Sequence, residues 1–473
     1  MRTVHWLVIT GLFVVVVGGT GGLVAAEPVC LSEPKEDLQC MPGPKTLEER
    51  LEELEKKLQS QDRLQELSEE REAQRAKEAP VMGGDQDGFF LRSANRAFEL
   101  RFGGYAQVDG RFYFGDTTQS NVTNTFEVRR FRPIFQGTLY RYISFKLMPD
   151  FGQGQVRLYD GYVGFDYWTV LRLRAGKFKP PVGLEMLQSS SDTMFVERGL
   201  PLNLIPNRDI GVQLHGDLFE KHLGYQVGVF NGVRDDTSST GGSITGFDSN
   251  SEKDYMVRLF AQPFLATDWE WLRGLQAGMS GTSGRDNFTP SNFQTPATGI
   301  DGITFFRYRG GVKTSGHRYR LSPQAYYAWG PLGVLGEYVW NIQDLQTSGN
   351  VEKRLTNRAW QVAVSYVLTG ENASFTGVKP RRPFNLEQGA WGAVELAARY
   401  QELLVDRDAF PVFADSSNSA RKARVWTVGI NWHLAHRIKI QLNFEHGIFN
   451  GGARNNTNFE QENALLTRIQ VGW

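Results

Sequence analysis

The sequence predicts an all-β chain: a 16-stranded antiparallel transmembrane β-barrel preceded by an N-terminal helical coiled-coil segment. Three observations predict it. Apolar side chains recur with a period of two from residue 98 to the end. A charged stretch without glycine or proline carries leucines at heptad spacing. The only apolar run of membrane-helix length stands at the start of the 473 residues.

That first run reads as an export signal, with a retained membrane anchor as the alternative. After Met1 and Arg2, the stretch from Trp6 to Val17 is almost wholly apolar, and glycines lead to the small residues of Val24-Ala25-Ala26. Residues 1–26 are therefore expected to be a signal peptide cleaved after Ala26. Val29 before Cys30 does not suit a lipobox. Residues 27–44 read as a polar leader holding the two cysteines, Cys30 and Cys40. Export makes a disulfide chemically possible, within or between chains, and the spacing fits no Cys/His metal pattern. Residues 27–80 carry 15 acidic and 9 basic side chains, which leaves 37 acidic and 42 basic for 81–473. The zero net charge thus divides into an acidic leader and a mildly cationic body.

Residues 45–79 are expected to form a helix, since Leu47, Leu51, Leu54 and Leu58 follow one another by four, three and four residues. Its one sticky face points to self-association in the periplasm. Gln61 and Gln65 interrupt the seam, and so short a repeat is too weak to be stable alone, so a solvated spacer is the alternative. Residues 80–97, with Gly83, Gly84 and Gly88, read as a linker.

From residue 98 the barrel is written as alternation. Leu100, Phe102, Ala106, Val108 and Phe112 share one face of the first strand, and Glu99, Arg101, Tyr105, Gln107, Asp109 and Arg111 the other. The same pattern returns in Ile210, Val212 and Leu214, in Trp426, Val428 and Ile430, and in Ile438, Ile440, Leu442 and Phe444. Strands are predicted to start near 98, 126, 141, 156, 169, 209, 222, 254, 274, 317, 331, 356, 391, 423, 437 and 465. An even count returns the chain to its starting side. Tight connections such as 140–142, 330–331 and 434–436 alternate with longer ones, which puts short turns on one rim and loops on the other. The long connection 369–389 falls on the short-turn rim and is the exception. Tyr167 with Trp168, Tyr327 with Trp329 and Tyr338 with Trp340 suit interfacial aromatic girdles, and the chain ends on an amphipathic strand closed by Trp473.

Several segments carry a resemblance. Glu127-Val128-Arg129-Arg130, Lys146-Leu147-Met148-Pro149-Asp150-Phe151, the run from Arg174 to Glu185, Phe195-Val196-Glu197-Arg198, Asn207-Arg208-Asp209-Ile210-Gly211-Val212 and Glu395-Leu396-Ala397-Ala398-Arg399-Tyr400 are such segments. Together the region 98–473 resembles the phosphate-selective porin O and P family. The resemblance implies a trimeric porin of a Gram-negative-type outer membrane, with the third loop folded into the pore and phosphate or polyphosphate as the solute.

Strand parity assigns candidate lumen cations: Arg101, Arg111, Arg130, Arg132, Arg172, Arg174, Arg258, Arg318 and Arg320. Arginine suits anions because its planar fork offers paired donors. If the third loop folds inward, Lys177, Lys179, Ser189, Ser190, Arg198 and Arg208 become candidates for the constriction, and Glu185, Asp192, Glu197 and Asp209 in the same stretch are expected to tie up some of those cations.

The resulting expectation is passive diffusion of small solutes with an anion preference. A non-selective general porin and an envelope tether that uses the coiled coil are the alternatives. Expected partners are outer-membrane lipid, small anionic solutes and two further copies in a homotrimer, with no nucleic acid. No catalytic residue, metal or cofactor is expected: the seven histidines are scattered, and the usual hydrolase, zinc-protease and phosphate-loop motifs are missing from the sequence.

Overall fold

Alternating apolar and polar side chains can satisfy two solvents at once when a sheet closes on itself, one face turned to lipid and the other to an interior. The computed structural model describes residues 46–86, 88–114, 123–154, 156–235, 251–296, 303–415, 417–451, 453–454 and 461–473. The expected signal peptide, the polar leader and both cysteines lie outside the described residues.

Sixteen strands make the barrel. The first half consists of β1 Glu99–Phe114, β2 Thr125–Leu139, β3 Ile143–Asp150, β4 Arg157–Phe165, β5 Arg172–Phe178, β6 Asp209–Leu218, β7 Leu223–Phe230 and β8 Asp254–Ala261. The second half consists of β9 Leu275–Asp286, β10 Lys313–Trp329, β11 Leu332–Gln346, β12 Glu352–Val367, β13 Ala393–Leu404, β14 Lys422–Ala435, β15 Ile438–Asn450 and β16 Glu462–Gly472. Each pairs antiparallel with its sequence neighbour, and β16 closes on β1 through a register running from Asn463 opposite Phe114 to Gly472 opposite Tyr105. Trp473 and Gly104 then exchange two backbone hydrogen bonds of 3.0 Å. All sixteen expected strands are present.

Burial is inverted relative to a soluble protein. The largest fully buried side chains include Arg111, Arg132, Arg318 and Arg468, while Leu147, Val163, Val257, Ile430 and Ile469 are exposed on the outer wall. A sheet with that polarity needs an apolar solvent outside. Aromatic rings mark the wall's edges. Tyr167 and Trp168 meet edge to face at 4.9 Å on the short-turn rim, and Tyr338 and Trp340 lie 4.2 Å apart toward the other rim.

Two segments differ from expectation. Part of the stretch read as a linker is a β-hairpin, Val81–Asp85 with Gly88–Arg92. Its second strand pairs with residues 99–102 of β1, below the point where β16 ends. β1 therefore overhangs its closing partner, and the hairpin satisfies the bare edge that would otherwise be left. The long connection after β12 keeps the barrel register by folding back on the mouth. Ala373 N donates to Gly330 O at 2.8 Å, Phe384 N to Leu434 O at 2.7 Å, and Phe375 packs edge to face on Tyr326 at 5.3 Å.

The helix Leu47–Glu78 opens with a capping box, Thr46 N donating to Glu49 Oε2 at 3.0 Å and Glu49 N to Thr46 Oγ1 at 3.4 Å. Pairs one turn apart, such as Lys56 with Glu52 at 2.8 Å, support it, and all four seam leucines are exposed.

Candidate pore constriction

The third loop, residues 179–208, crosses the lumen. It contains one α-helical turn, Leu184–Leu187, and a 3₁₀ segment, Leu200–Leu204. A loop buried in this way must have its backbone groups satisfied by the wall. Side chains of β11, β13 to β16 and β1 do so. Val196 N donates to Asn443 Oδ1 at 2.7 Å and Leu200 N to Gln401 Oε1 at 2.6 Å. Asn431 Nδ2 donates to Met194 O at 2.8 Å, Lys439 Nζ to Thr193 O at 2.8 Å, and Gln107 Nε2 to Ser190 O at 2.9 Å. The loop backbone lies tight against the wall at Gly199, where an added Cβ would stand 2.1 Å from Gln361 Oε1. Leu200, Leu202 and Leu204 of the 3₁₀ segment join Phe293, Phe305 and Phe306 of the loop after β9 and Phe413 of the loop after β13 in one apolar cluster against the inner faces of β11 to β14.

Charge fixes the loop's middle. Glu197 accepts from Arg111 at 2.6 Å, Arg129 at 2.7 Å, Arg130 at 3.3 Å and Arg468 at 3.4 Å. Burial alone would raise this carboxyl, but the guanidiniums of Arg129, Arg130, Arg111 and Arg468 outweigh it and hold Glu197 well below the usual carboxylate range. Arg129 was missed by strand parity because β1 and β2 slip register between Gln107 and Val108, which turns Arg129 inward. A second slip, between Met148 and Pro149, turns Tyr159 inward as well. Its ring lies between two guanidiniums, Arg132 at 3.7 Å and Arg208 at 4.1 Å.

The nine candidate lumen cations separate by partner. Arg101 bonds Asp85 of the hairpin at 2.9 Å, and Arg172 bonds Asp217 at 2.8 Å near the rim. Arg111 and Arg130 belong to the Glu197 anchor, and Arg132 bonds Asp150 at 2.7 Å. Arg318 and Arg320 are neutralised in a buried cluster, both reaching Asp254 at 3.1 Å, with Asp235 and Asp286 beside them. Arg174 and Arg258 alone have no carboxylate partner among the described residues. Arg174 stacks on Tyr162 at 4.5 Å; Arg258 stacks on Phe260 at 4.2 Å and donates to Gln324 Oε1 at 3.0 Å.

The six candidate constriction residues also divide. Lys177 is corrected: it belongs to β5, and its register opposite Ile210 puts it on the outer face, because paired residues share a side of the sheet. Lys179 Nζ donates to Gln188 O at 2.7 Å and Leu187 O at 3.4 Å. Burial, then the nearby Arg198 and Arg208, push its ammonium well below the ordinary lysine range. Ser190 Oγ accepts from Arg198 at 3.2 Å and Arg132 at 3.3 Å, and exposed Ser189 bonds Ser191 Oγ at 2.8 Å. Arg198 otherwise donates to the carbonyls of Glu185 at 3.0 Å and Gln188 at 2.7 Å, whereas Arg208 pairs with Asp160 at 2.9 Å.

What the loop leaves open is a cavity of about 490 Å³ between itself and the inner faces of β1 to β9. Lys146, Arg174, Lys179, Arg208 and Arg258 line it, against one carboxylate, Asp160. Ser189 and Ser190 line it too, and Phe375 reaches it from the folded turn, whose carbonyl accepts from Gln188 Nε2 at 2.7 Å. The cavity lies to one side of the lumen and has a mostly basic lining.

The channel DcaP of Acinetobacter baumannii superposes with a TM-score of 0.50 at 9% identity, covering 80% of this chain and 98% of that one. OmpT of Vibrio cholerae gives 0.49 at 11%, covering 80% and 100%. An anion-selective porin from Comamonas acidovorans gives 0.48 at 10%, covering 80% and 100%. No curated protein matches the sequence significantly. The family described as phosphate-selective porin O and P matches residues 98–473, the whole barrel with its inward loop, and the chain therefore belongs to that family of outer-membrane porins.

Proposed function

We propose that this porin passes small solutes by passive diffusion with a preference for anions. The observation that carries the reading is the lining of the open cavity, five basic side chains against one acid. Two of the five, Arg174 and Arg258, rest on aromatic rings instead of carboxylates, so their charge faces the passage. Screening acts over about 8 Å at physiological salt, so charges at a narrow cavity govern selectivity while those on a wide wall do little. Phosphate or polyphosphate is the solute that membership of the family points to. The test is the reversal potential of single channels in a potassium chloride gradient. A chloride-preferring potential supports the reading; a potassium-preferring one leaves only a general porin.

We also infer a homotrimer in which the N-terminal helix is a periplasmic self-association segment. Supporting it is the exposure of Leu47, Leu51, Leu54 and Leu58 along one helix, an apolar stripe that a solvated spacer would not need.

A further inference from the structure

The outer wall of the barrel carries a furrow along β9. Gly281 lies between Val257 of β8 and Leu321 of β10, and Ser283 lies between Tyr255 and Tyr319. Paired residues share a side of the sheet, and the four large side chains are exposed, so this side is the outer one. A Cβ added at Gly281 would find no atom of another strand nearer than 3.7 Å, at Arg320 O. The two small residues thus leave a groove of about 700 Å³, walled by Val227, Val257 and Tyr255 on one side and by Leu321, Tyr319 and Ile342 on the other. Carbon alone selects no occupant there, because lipid tails are as apolar as the wall. The end of the furrow does. β9 finishes at Asp286, before the long connection 287–312, so the furrow climbs to the loop rim, the extracellular side of such a barrel. Arg285 stands at that end, exposed on the same face and about 13 Å beyond Gly281 at the usual rise per residue. Its guanidinium donates to His317 Nε2 from Nε at 3.2 Å and from Nη2 at 3.0 Å, and among the described residues its Nη1 makes no hydrogen bond and no carboxylate pairs with it. Asp344, which accepts from the His317 backbone N–H at 3.1 Å, is already taken by Arg354 at 2.7 Å.

We propose that this furrow holds an acyl chain of a phosphate-bearing lipid from the leaflet at the loop rim, with the phosphate on Arg285. The chain lies along β9 and gains dispersion contacts with both walls, while the free edge of the guanidinium offers paired donors to the phosphate oxygens. Neither half suffices alone. An uncharged chain gains little by leaving bulk lipid, and a free phosphate meets only one exposed, screened cation. The site belongs to the outer wall and is independent of what the channel passes.

The experiment uses the full-length protein in dodecyl maltoside micelles, whose headgroups carry no phosphate. Phosphatidate and diacylglycerol probes with the same diazirine-tagged chain are photolysed on it, and labelled residues are read by peptide mass spectrometry. Phosphatidate should label the walls at Val257, Tyr255, Tyr319 and Leu321 about fivefold more than diacylglycerol, the advantage that one arginine gives at an anionic lipid surface. Arg285→Gln should bring phosphatidate down to the diacylglycerol level. Gly281→Phe, which fills the floor, should lower labelling by both probes, and wild-type conductance of both variants in planar bilayers shows that the barrel has folded. Excess inorganic phosphate should leave the phosphatidate labelling in place. Equal labelling by the two probes in the wild type overturns the proposal, as does a phosphatidate preference that survives Arg285→Gln or labelling that Gly281→Phe leaves unchanged. Displacement by inorganic phosphate would make the site one for the free anion and overturns it as well. So do furrow walls that neither probe reaches, whether bare or covered by a second copy of the chain.

Discussion

Arg129 Nε stands 2.7 Å from the Glu197 carboxylate, tying a bulge in the second strand to the loop that narrows the lumen. The same carboxylate serves Arg111, Arg130 and Arg468, so its removal takes one shared counter-charge from four buried guanidiniums, of which Arg111 and Arg468 keep Asp109. Breaking a buried pair in this way costs roughly 3–5 kcal/mol. Glu197→Gln should therefore still assemble as a barrel, unfold at lower temperature in a gel-mobility melt, and show flickering single-channel currents. A quiet channel with wild-type melting would mean the loop is held by other contacts.

Gly199 predicts a second way to unseat the loop. The Gln361 oxygen that a new Cβ would meet at 2.1 Å cannot swing away, because Gln361 Nε2 donates to Glu185 at 2.7 Å and Glu337 at 2.6 Å. Gly199→Val should raise current noise without changing the charge of the passage, so reversal potential and noise should separate in this variant. A silent, wild-type-like channel would show that the loop tolerates displacement.

Register predicts which cations matter. Lys177→Gln, on the outer face beside Ile210, should leave the reversal potential unchanged, whereas Arg174→Gln with Arg258→Gln should move it toward potassium. Equal shifts from Lys177→Gln would put that side chain in the passage after all.

These residues also show what a sequence reveals of such a protein. Strand starts were legible because the two-residue period needs no tertiary information: residues 209 and 254 were read as starts and Asp209 and Asp254 open strands. Parity fails wherever one residue is inserted, so the bulges hid Arg129 and Tyr159. Lys177 was misplaced because it was assigned to the third loop, whereas its strand continues to Phe178. The hairpin at 81–92 was hidden by its glycines, and its pairing depends on an overhang of β1 that only barrel closure creates. Whether an arginine ends on an acid, like Arg320, or on a ring, like Arg258, is settled by neighbours far away in sequence.

The exposed leucine seam predicts crosslinking. With Cys30 and Cys40 replaced by serine, Leu51→Cys or Leu58→Cys in intact membranes should give disulfide-linked dimers on oxidation, since two of three helices can join at one position. Only monomeric species at both positions would favour the solvated-spacer reading.

Lys179 predicts how selectivity depends on pH. Its ammonium donates to two loop carbonyls and has no carboxylate within ion-pair reach among the described residues. Burial is the largest influence and favours the neutral amine; Arg198 and Arg208 act the same way, and Asp160 only partly opposes them. The pKa in the folded chain therefore lies well below 10.5, and one cation of the passage is lost as pH rises through that lowered value. Chloride preference should fall at a pH where ordinary lysines are still charged. Stability should move the opposite way: between the lowered value and 10.5 the unfolded chain binds more protons than the folded one, so the barrel gains stability as pH rises. Lys179→Arg keeps its charge throughout the accessible range and should flatten the selectivity curve. Reversal potentials taken from acid to alkaline pH on both proteins decide the matter, and parallel curves across that whole range would show that Lys179 does not set the charge of the passage.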